Sequence, residues 1–191
     1  MQPTETAARR YDPTTIALHW LTLLLVAEQW IGAHLIDDFA RGTPRVMARS
    51  VHITFGVVVV LLLLARLAWR GTRGRRLPAA DRGALHVLAK ATHWGMYALL
   101  AAILVLGVLT AFLQGDSIYT LFSLPSPAPD DRALRRAIVG YHAVAANIIL
   151  AVAGLHAAAA LAHQFVWRDG LLLRMVPVRT ARSAVRQRLR T

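Results

Sequence analysis

Four long apolar stretches alternate with short polar, arginine-rich segments, and this alternation predicts four membrane-crossing helices. The stretches run from about Thr14 to Ile36, Val51 to Trp69, Thr92 to Leu113 and Ile138 to Val166. A helix needs about 20 mostly apolar residues to cross a hydrocarbon core roughly 30 Å thick. The second contains Gly-Val-Val-Val-Val-Leu-Leu-Leu-Leu at 56–64, and the fourth is rich in alanine. Between them lie Asp37 to Ser50, Arg70 to Ala91 and Gln114 to Ala137. The last carries Pro125, Pro127 and Pro129, which predicts a loop with at most one short helix. The first apolar run follows a polar segment from Met1 to Asp12, keeps Glu28 and lacks a small-residue cleavage site, so it reads as a retained span. The expected fold class is therefore all-α, an integral membrane four-helix bundle. Residues 1–177 form the bundle and 178–191 a basic tail.

Composition strengthens this picture. Hydrophobic residues make up 56% of the 191 and charged residues 17%, against about 25% charged in a soluble domain. The net charge of +12 comes from 22 basic residues, of which only Lys90 is a lysine. Nucleic-acid binding would need those charges on a soluble surface, whereas here they flank apolar runs, so no nucleic-acid partner is expected. They act instead as topology signals. Arg9 and Arg10, the cluster Arg66, Arg70, Arg73, Arg75, Arg76, Arg82 and Lys90, and seven arginines from Arg168 to Arg190 fall on one side. Arg41, Arg45, Arg49, Arg132, Arg135 and Arg136 fall on the other, offset by Asp37, Asp38, Asp116, Asp130 and Asp131. The positive-inside rule then puts both termini in the cytoplasm. The chain has no cysteine, which excludes disulfides, covalently attached haem and cysteine-ligated iron–sulfur clusters.

Eight histidines carry the candidate chemistry. An ionisable residue within a span faces the bundle interior and needs a partner. His142 and His156 on the fourth span are 14 residues apart; at ~100° and ~1.5 Å per residue they fall within about 40° on one face, roughly 21 Å apart. Ala145, Ala146, Ala159 and Ala160 follow them one turn on. Such small residues leave room for a flat macrocycle, and they equally suit helix packing. His19, near the cytoplasmic start of the first span, is level with His156, and His52, near the outer start of the second, with His142. Two imidazoles at each of two depths suit the axial positions of two non-covalent haems b; zinc would require three or four ligands at one depth. The alternative is a set of hydrogen-bonded helix contacts.

Other polar residues are less specific. His163 shares the face of His156 near the cytoplasmic interface, where it either gives a hydrogen bond or proton to a quinone or has no role. Trp167 beside it either anchors the helix at the interface or lines the same quinone pocket. His93, on the third span near the same interface, has the same two readings as His163; His86 falls in the basic segment before the third span and is expected to be solvated, and His34 has no evident partner. Trp20, Trp69, Trp94, Tyr119 and Tyr141 fit interfacial belts. Arg66 within the second span either snorkels to the surface or neutralises a haem propionate. The outer arginines form either a basic rim that steers a small anionic donor or a solvated loop surface.

Several segments together resemble the bacterial cytochrome b561 family. They are Tyr11 to Trp20, ending Ile-Ala-Leu-His-Trp; Arg-Ser-Val-His-Ile-Thr-Phe-Gly at 49–56; Ala-Arg-Leu at 65–67; Gly-Tyr-His at 140–142; Gly-Leu-His-Ala-Ala-Ala-Ala-Leu-Ala-His-Gln-Phe at 154–165; and Trp-Arg-Asp-Gly-Leu-Leu-Leu-Arg-Met at 167–175. The resemblance runs in order to about Pro177. It implies four spans, cytoplasmic termini and two haems b, held by His19, His52, His142 and His156. The branch it is most similar to oxidises superoxide at the periplasmic face and reduces ubiquinone at the cytoplasmic side, and it suggests His163 for the quinone. Glu28 and the arginine-rich tail are departures: the glutamate is either a proton or hydrogen-bond partner near the outer haem or faces an aqueous gap, and the tail binds anionic membrane lipid or is disordered. A competing expectation is a haem b anchor subunit wiring a redox partner protein, a periplasmic dehydrogenase or hydrogenase, to the quinone pool. A bundle that binds no haem is a third.

Overall fold

The computed structural model describes residues 10–79 and 82–177. Four helices dominate: α1 (Pro13–Leu35), α2 (Thr43–Thr72), α3 (Gly83–Gln114) and α4 (Arg132–Ala162). All four are long and apolar enough to cross a membrane. Short 3₁₀ turns follow α1 at Ile36–Asp38 and close the described chain at Leu172–Arg174, and α4 runs on into a single π-helical turn, His163–Trp167.

Local chemistry sets the helix ends. Asp12 caps α1, with Oδ1 accepting from the Thr15 backbone N–H at 2.8 Å, and Pro13 takes the first helical position. Asp131 caps α4 in the same way through the Leu134 N–H. Helix α3 stops at Gly115, which is left-handed (φ 63°) and turns its N–H back onto the last carbonyls.

Three helices start earlier than hydropathy predicts. Helix α2 begins at Thr43 instead of Val51, α3 at Gly83 instead of Thr92 and α4 at Arg132 instead of Ile138. Hydropathy marks only the section that must sit in hydrocarbon, whereas the helical hydrogen bonds continue into the polar margin. At ~1.5 Å per residue, helices of 30–32 residues exceed a roughly 30 Å core. His86 accordingly lies on α3, exposed, and not in a preceding loop. The expected loop from Gln114 to Ala137 also differs. It holds a small antiparallel hairpin, β1 (Ser117–Ile118) with β2 (Phe122–Ser123), and α4 takes its last part from Arg132 onward.

The helices pair α1 with α2 and α3 with α4, and α2 with α3 less extensively. Val59, Leu63, Leu100, Ile103 and Ile149 form a small core, with Leu25, Val26, Tyr97 and Ala145 against it. Most of the remaining large apolar side chains point outward, among them Leu24, Leu61, Val105 and Leu155. That apolar exterior suits lipid, where buried contact is not needed to hide it.

Both described chain ends meet at one end of the bundle, termed the terminal end; the other is the loop end. The Tyr11 N–H donates to the Arg174 carbonyl, and Trp20 Nε1 donates to the Met175 carbonyl at 2.8 Å. Asp12 is the hub there. Besides capping α1 it accepts from Thr15 Oγ1, Trp69 Nε1 and the Arg75 N–H. Partial burial pushes its carboxyl up, but these four donors outweigh burial and bring it from an ordinary 3.8 to about 2. The stabilisation is therefore complete above the ordinary value and lost as pH falls from there through about 2. Asp12→Ala is expected to lower stability by about 2 kcal/mol at neutral pH. In detergent thermal melts the gap from the unaltered chain should narrow towards pH 2.5; a gap independent of pH would contradict this role.

Candidate functional site

Two histidine pairs stand inside the bundle, one towards each end. At the terminal end His19 of α1 faces His156 of α4, with ring centres 6.4 Å apart and planes at 68°. At the loop end His52 of α2 faces His142 of α4, again at 6.4 Å, with planes at 85°. Each pair joins helices whose backbones scarcely approach one another. The gap between α4 and the α1–α2 pair is thus bridged by side chains, including the bond from Trp30 Nε1 to Asn147 Oδ1 at 2.8 Å.

This geometry fits a haem iron between each pair. Two metal–nitrogen bonds of about 2 Å, with roughly 1 Å from each nitrogen to its ring centre, place the centres roughly 6 Å apart. The nitrogens are also prepared for it. The carbonyl of Ile103 on α3 accepts from His142 Nδ1 at 3.1 Å, which leaves Nε2 as the donor to a metal. His52 Nδ1 is buried without a hydrogen-bond partner. Gly107 on α3 provides the room: a Cβ there would stand 3.2 Å from His142 Cε1. Among the described residues no group of three or more His, Cys, Asp or Glu side chains suits a bare metal ion.

A third imidazole joins the terminal-end pair. His93 of α3 lies with its ring 5.2 Å from that of His156. It is packed against the candidate site and not simply interfacial. Nothing in the linear pattern marks this contact, because it depends on how α3 rotates against α4. Arg66 is held inward: its Nε donates to the Tyr97 hydroxyl at 3.2 Å and its guanidinium lies 5.3 Å from the Tyr97 ring centre. Its charge bears on His19, His93 and His156.

His163 occupies the π-helical turn beyond α4. Its Nδ1 donates to Asp169 Oδ2, and the Trp167 ring stands 4.4 Å away. The chain reaches that position through left-handed residues at Arg168 (φ 54°) and Gly170 (φ 73°), which fold Asp169 back under the ring. Slight burial pushes the Asp169 carboxyl up, but bonds from His163 and the Leu171 N–H and the nearby charges of His163 and Arg174 hold it below the usual carboxylate range. Asp169 had no distinguishing mark in the sequence beyond its place in Trp-Arg-Asp-Gly.

The loop end is more compensated than the count of arginines suggests. Arg49 Nη1 binds Asp116 Oδ1 at 2.8 Å and Gln114 Oε1 at 2.6 Å. Arg45 pairs with Asp37 and with the carbonyls of Asp37 and Phe39. The arginines held in this way are part of the architecture of the end. Ser50, fully buried, accepts from the Tyr119 N–H at 2.8 Å and donates to the carbonyl of Val46, and the Tyr119 hydroxyl meets Thr54 Oγ1. The hairpin is thereby fastened to the first turns of α2 at Ser50, two residues before His52. Tyr119 belongs to this fastening more than to an interfacial belt.

His34 has a partner after all. Its Nδ1 bonds the Trp30 carbonyl one turn back at 2.8 Å, and its ring lies tilted against that of Trp30, with centres 4.2 Å apart. Glu28 is half-buried and takes a hydrogen bond from the adjacent Gln29. The basic tail at 178–191 and Arg9 lie outside the described residues.

Comparison with known proteins matches residues 10–178 to the family model described as prokaryotic cytochrome b561. The chain is similar to a probable superoxide oxidase CybB of Yersinia pestis, 31% identical over 173 residues that cover 88% of this chain and 97% of the relative. It is also similar to cytochrome b561 homolog 1 of Escherichia coli, at 29% identity over 89% of this chain and 98% of the relative. A cytochrome b562 of Cereibacter sphaeroides matches at 28% identity, over 87% of this chain and 94% of the relative.

Proposed function

The chain belongs to the prokaryotic cytochrome b561 family, a family of haem b-binding transmembrane electron carriers, and from that premise we propose that it is a two-haem superoxide:quinone oxidoreductase. In this reading one haem b is held by His52 and His142 and the other by His19 and His156. Superoxide, or another small one-electron donor, gives up its electron at the loop end, which faces the periplasm. Ubiquinone is reduced at the terminal end, beside His163 and Trp167, on the cytoplasmic side of the inner membrane. The observation that carries the reading is the equal 6.4 Å spacing of two histidine pairs at two depths. The name of the Yersinia relative supports superoxide as the donor.

When bound, the haems supply the one-electron relay between the two ends. The protein's part is to hold and tune. Ile103 fixes the His142 tautomer, Gly107 leaves that ring its space, and Arg66 places beside the terminal-end pair a positive charge that could offset a haem propionate. His163 holds a proton at the end where quinone requires one. Arg41, Arg132, Arg135 and Arg136, on the loop-end face, provide the field that draws a small anion.

The test is a reduced-minus-oxidised spectrum of the purified single chain, with haem counted per polypeptide, followed by superoxide-driven reduction of a short-chain ubiquinone. Two low-spin haems b and quinone reduction by the lone chain are expected. One haem per chain would remove one pair from the ligand set. Two haems without quinone reduction, restored by a second subunit, would instead make the chain a membrane anchor for a partner dehydrogenase.

A further inference from the structure

The π-helical turn beyond α4 builds a histidine–carboxylate pair whose form is specific. His163 is mostly enclosed, with 11% of its side chain exposed, and Asp169 is 39% exposed. Asp169 is itself fixed twice: its carboxylate Oδ1 accepts the Leu171 N–H at 2.9 Å, and its backbone N–H returns to the His163 carbonyl at 3.2 Å. A non-glycine residue in the left-handed region, Arg168 (φ 54°), is needed to make that return, a conformation that side chains with a Cβ adopt only at a cost. Arg174, the cation that bears on Asp169, is anchored elsewhere through its bond to the Pro78 carbonyl at 2.9 Å. The carboxylate is thus aimed at the imidazole.

The consequence for His163 is chemical. An ionised carboxylate accepts only, so Nδ1 must carry the hydrogen in this bond, and the proton that His163 exchanges with a substrate is the one on Nε2. A quinone becomes a quinol by gaining two electrons and two protons, one O–H bond forming at each oxygen. The electrons arrive singly from the donor, but the protons must come from the protein or water at the quinone itself.

We propose that Asp169 is a positioning residue that holds His163 as the proton donor to one quinone oxygen. The Nε2–H bond breaks as that O–H bond forms, and the neutral ring regains its proton from water at the terminal end. The second proton comes from water directly. This rests on the reading of His163 as the quinone contact.

The experiment uses the full-length haem-loaded chain and a short-chain ubiquinone, with Asp169→Asn, Asp169→Glu and His163→Gln. For each variant it measures the haem spectrum, the donor-driven rate of haem reduction without quinone, and kcat and KM for quinone. Asn keeps an oxygen for the Leu171 N–H, but its amide N–H₂ offers His163 no acceptor. Asp169→Asn is expected to lower kcat about tenfold or more with KM changed less than about twofold, as for other misoriented general acids. Spectrum and haem reduction should not change, and Glu should restore part of kcat. An unchanged kcat in Asp169→Asn beside a lowered one in His163→Gln would overturn the role of Asp169 and leave the quinone site in place. An unchanged His163→Gln would remove His163 from the quinone site itself. A rise in KM alone, or a loss of haem, would make Asp169 a pocket or scaffold residue and overturn the proposal.

Discussion

Purified His142→Ala protein is expected to carry one haem b per chain, against the two proposed for the unaltered protein. His142 donates from Nδ1 to the Ile103 carbonyl and faces His52 across a gap that no other described histidine reaches. Alanine leaves the loop-end site with a single imidazole and an opening where the ring stood, so a haem held there would lose one of its two protein ligands. The terminal-end pair lies two further turns beyond the shared core around Ile149, on the same helix but with its own partners, His19 and His93. It should keep its haem and its low-spin bands. A pyridine haemochrome assay against protein concentration reads the ratio. Loss of both haems together would show that the two sites fold as one. Gly107→Val should act in the same direction more weakly, because its side chain intrudes on the His142 ring without removing it.

Arg49→Ala should be among the most destabilising single changes outside the histidine pairs, at roughly 3 kcal/mol. The residue joins α2 to the last residue of α3, Gln114, and to Asp116 just beyond it. Asp116 is only 7% exposed, so without Arg49 its carboxylate is left buried and uncompensated. Burial already pushes the Asp116 carboxyl above its ordinary value in spite of Arg49, and removal of the guanidinium moves it further. A carboxyl whose folded pKa is raised binds its proton more tightly in the folded state. Its contribution is therefore most favourable at low pH and declines as pH rises from the unfolded value through the folded one. The penalty of Arg49→Ala should accordingly be smaller at pH 5 than at pH 8 in thermal melts. Arg49→Ala combined with Asp116→Asn should recover a large part of the loss, since the buried charge goes with its partner. Equal penalties at both pH values would mean that Arg49 contributes packing and not charge.

The loop end illustrates how charge counting and structure diverge. Six arginines lie on that side of the sequence, which suggests a uniform basic rim. Two of them, Arg45 and Arg49, are tied into Asp37, Asp116 and nearby carbonyls. The aspartates that entered the count only as offsets are in fact the specific partners, and Asp116 is one of the two buried polar residues among those described.

The four spans were legible in the sequence because lipid imposes a local condition. Every residue of a span must be tolerable in hydrocarbon, so α1 to α4 each announce themselves as an apolar run whatever they pack against. The placement of imidazoles at two levels was legible for a related reason: His142 and His156 share one rigid helix, where spacing converts directly into depth and azimuth. The ends of the helices were less legible, because outside hydrocarbon hydropathy ceases to constrain the backbone. What only the tertiary structure decided are contacts between distant parts of the chain. The His93–His156 contact depends on helix rotation, the Arg49–Asp116 pair joins residues 67 positions apart, and the Asp12 hub draws on Trp69 and Arg75 from another helix end. The hairpin turn at Tyr119 and Thr120 and the return at Arg168 use left-handed backbone at residues other than glycine. No local preference foretells such conformations, since the surrounding contacts alone hold them in place.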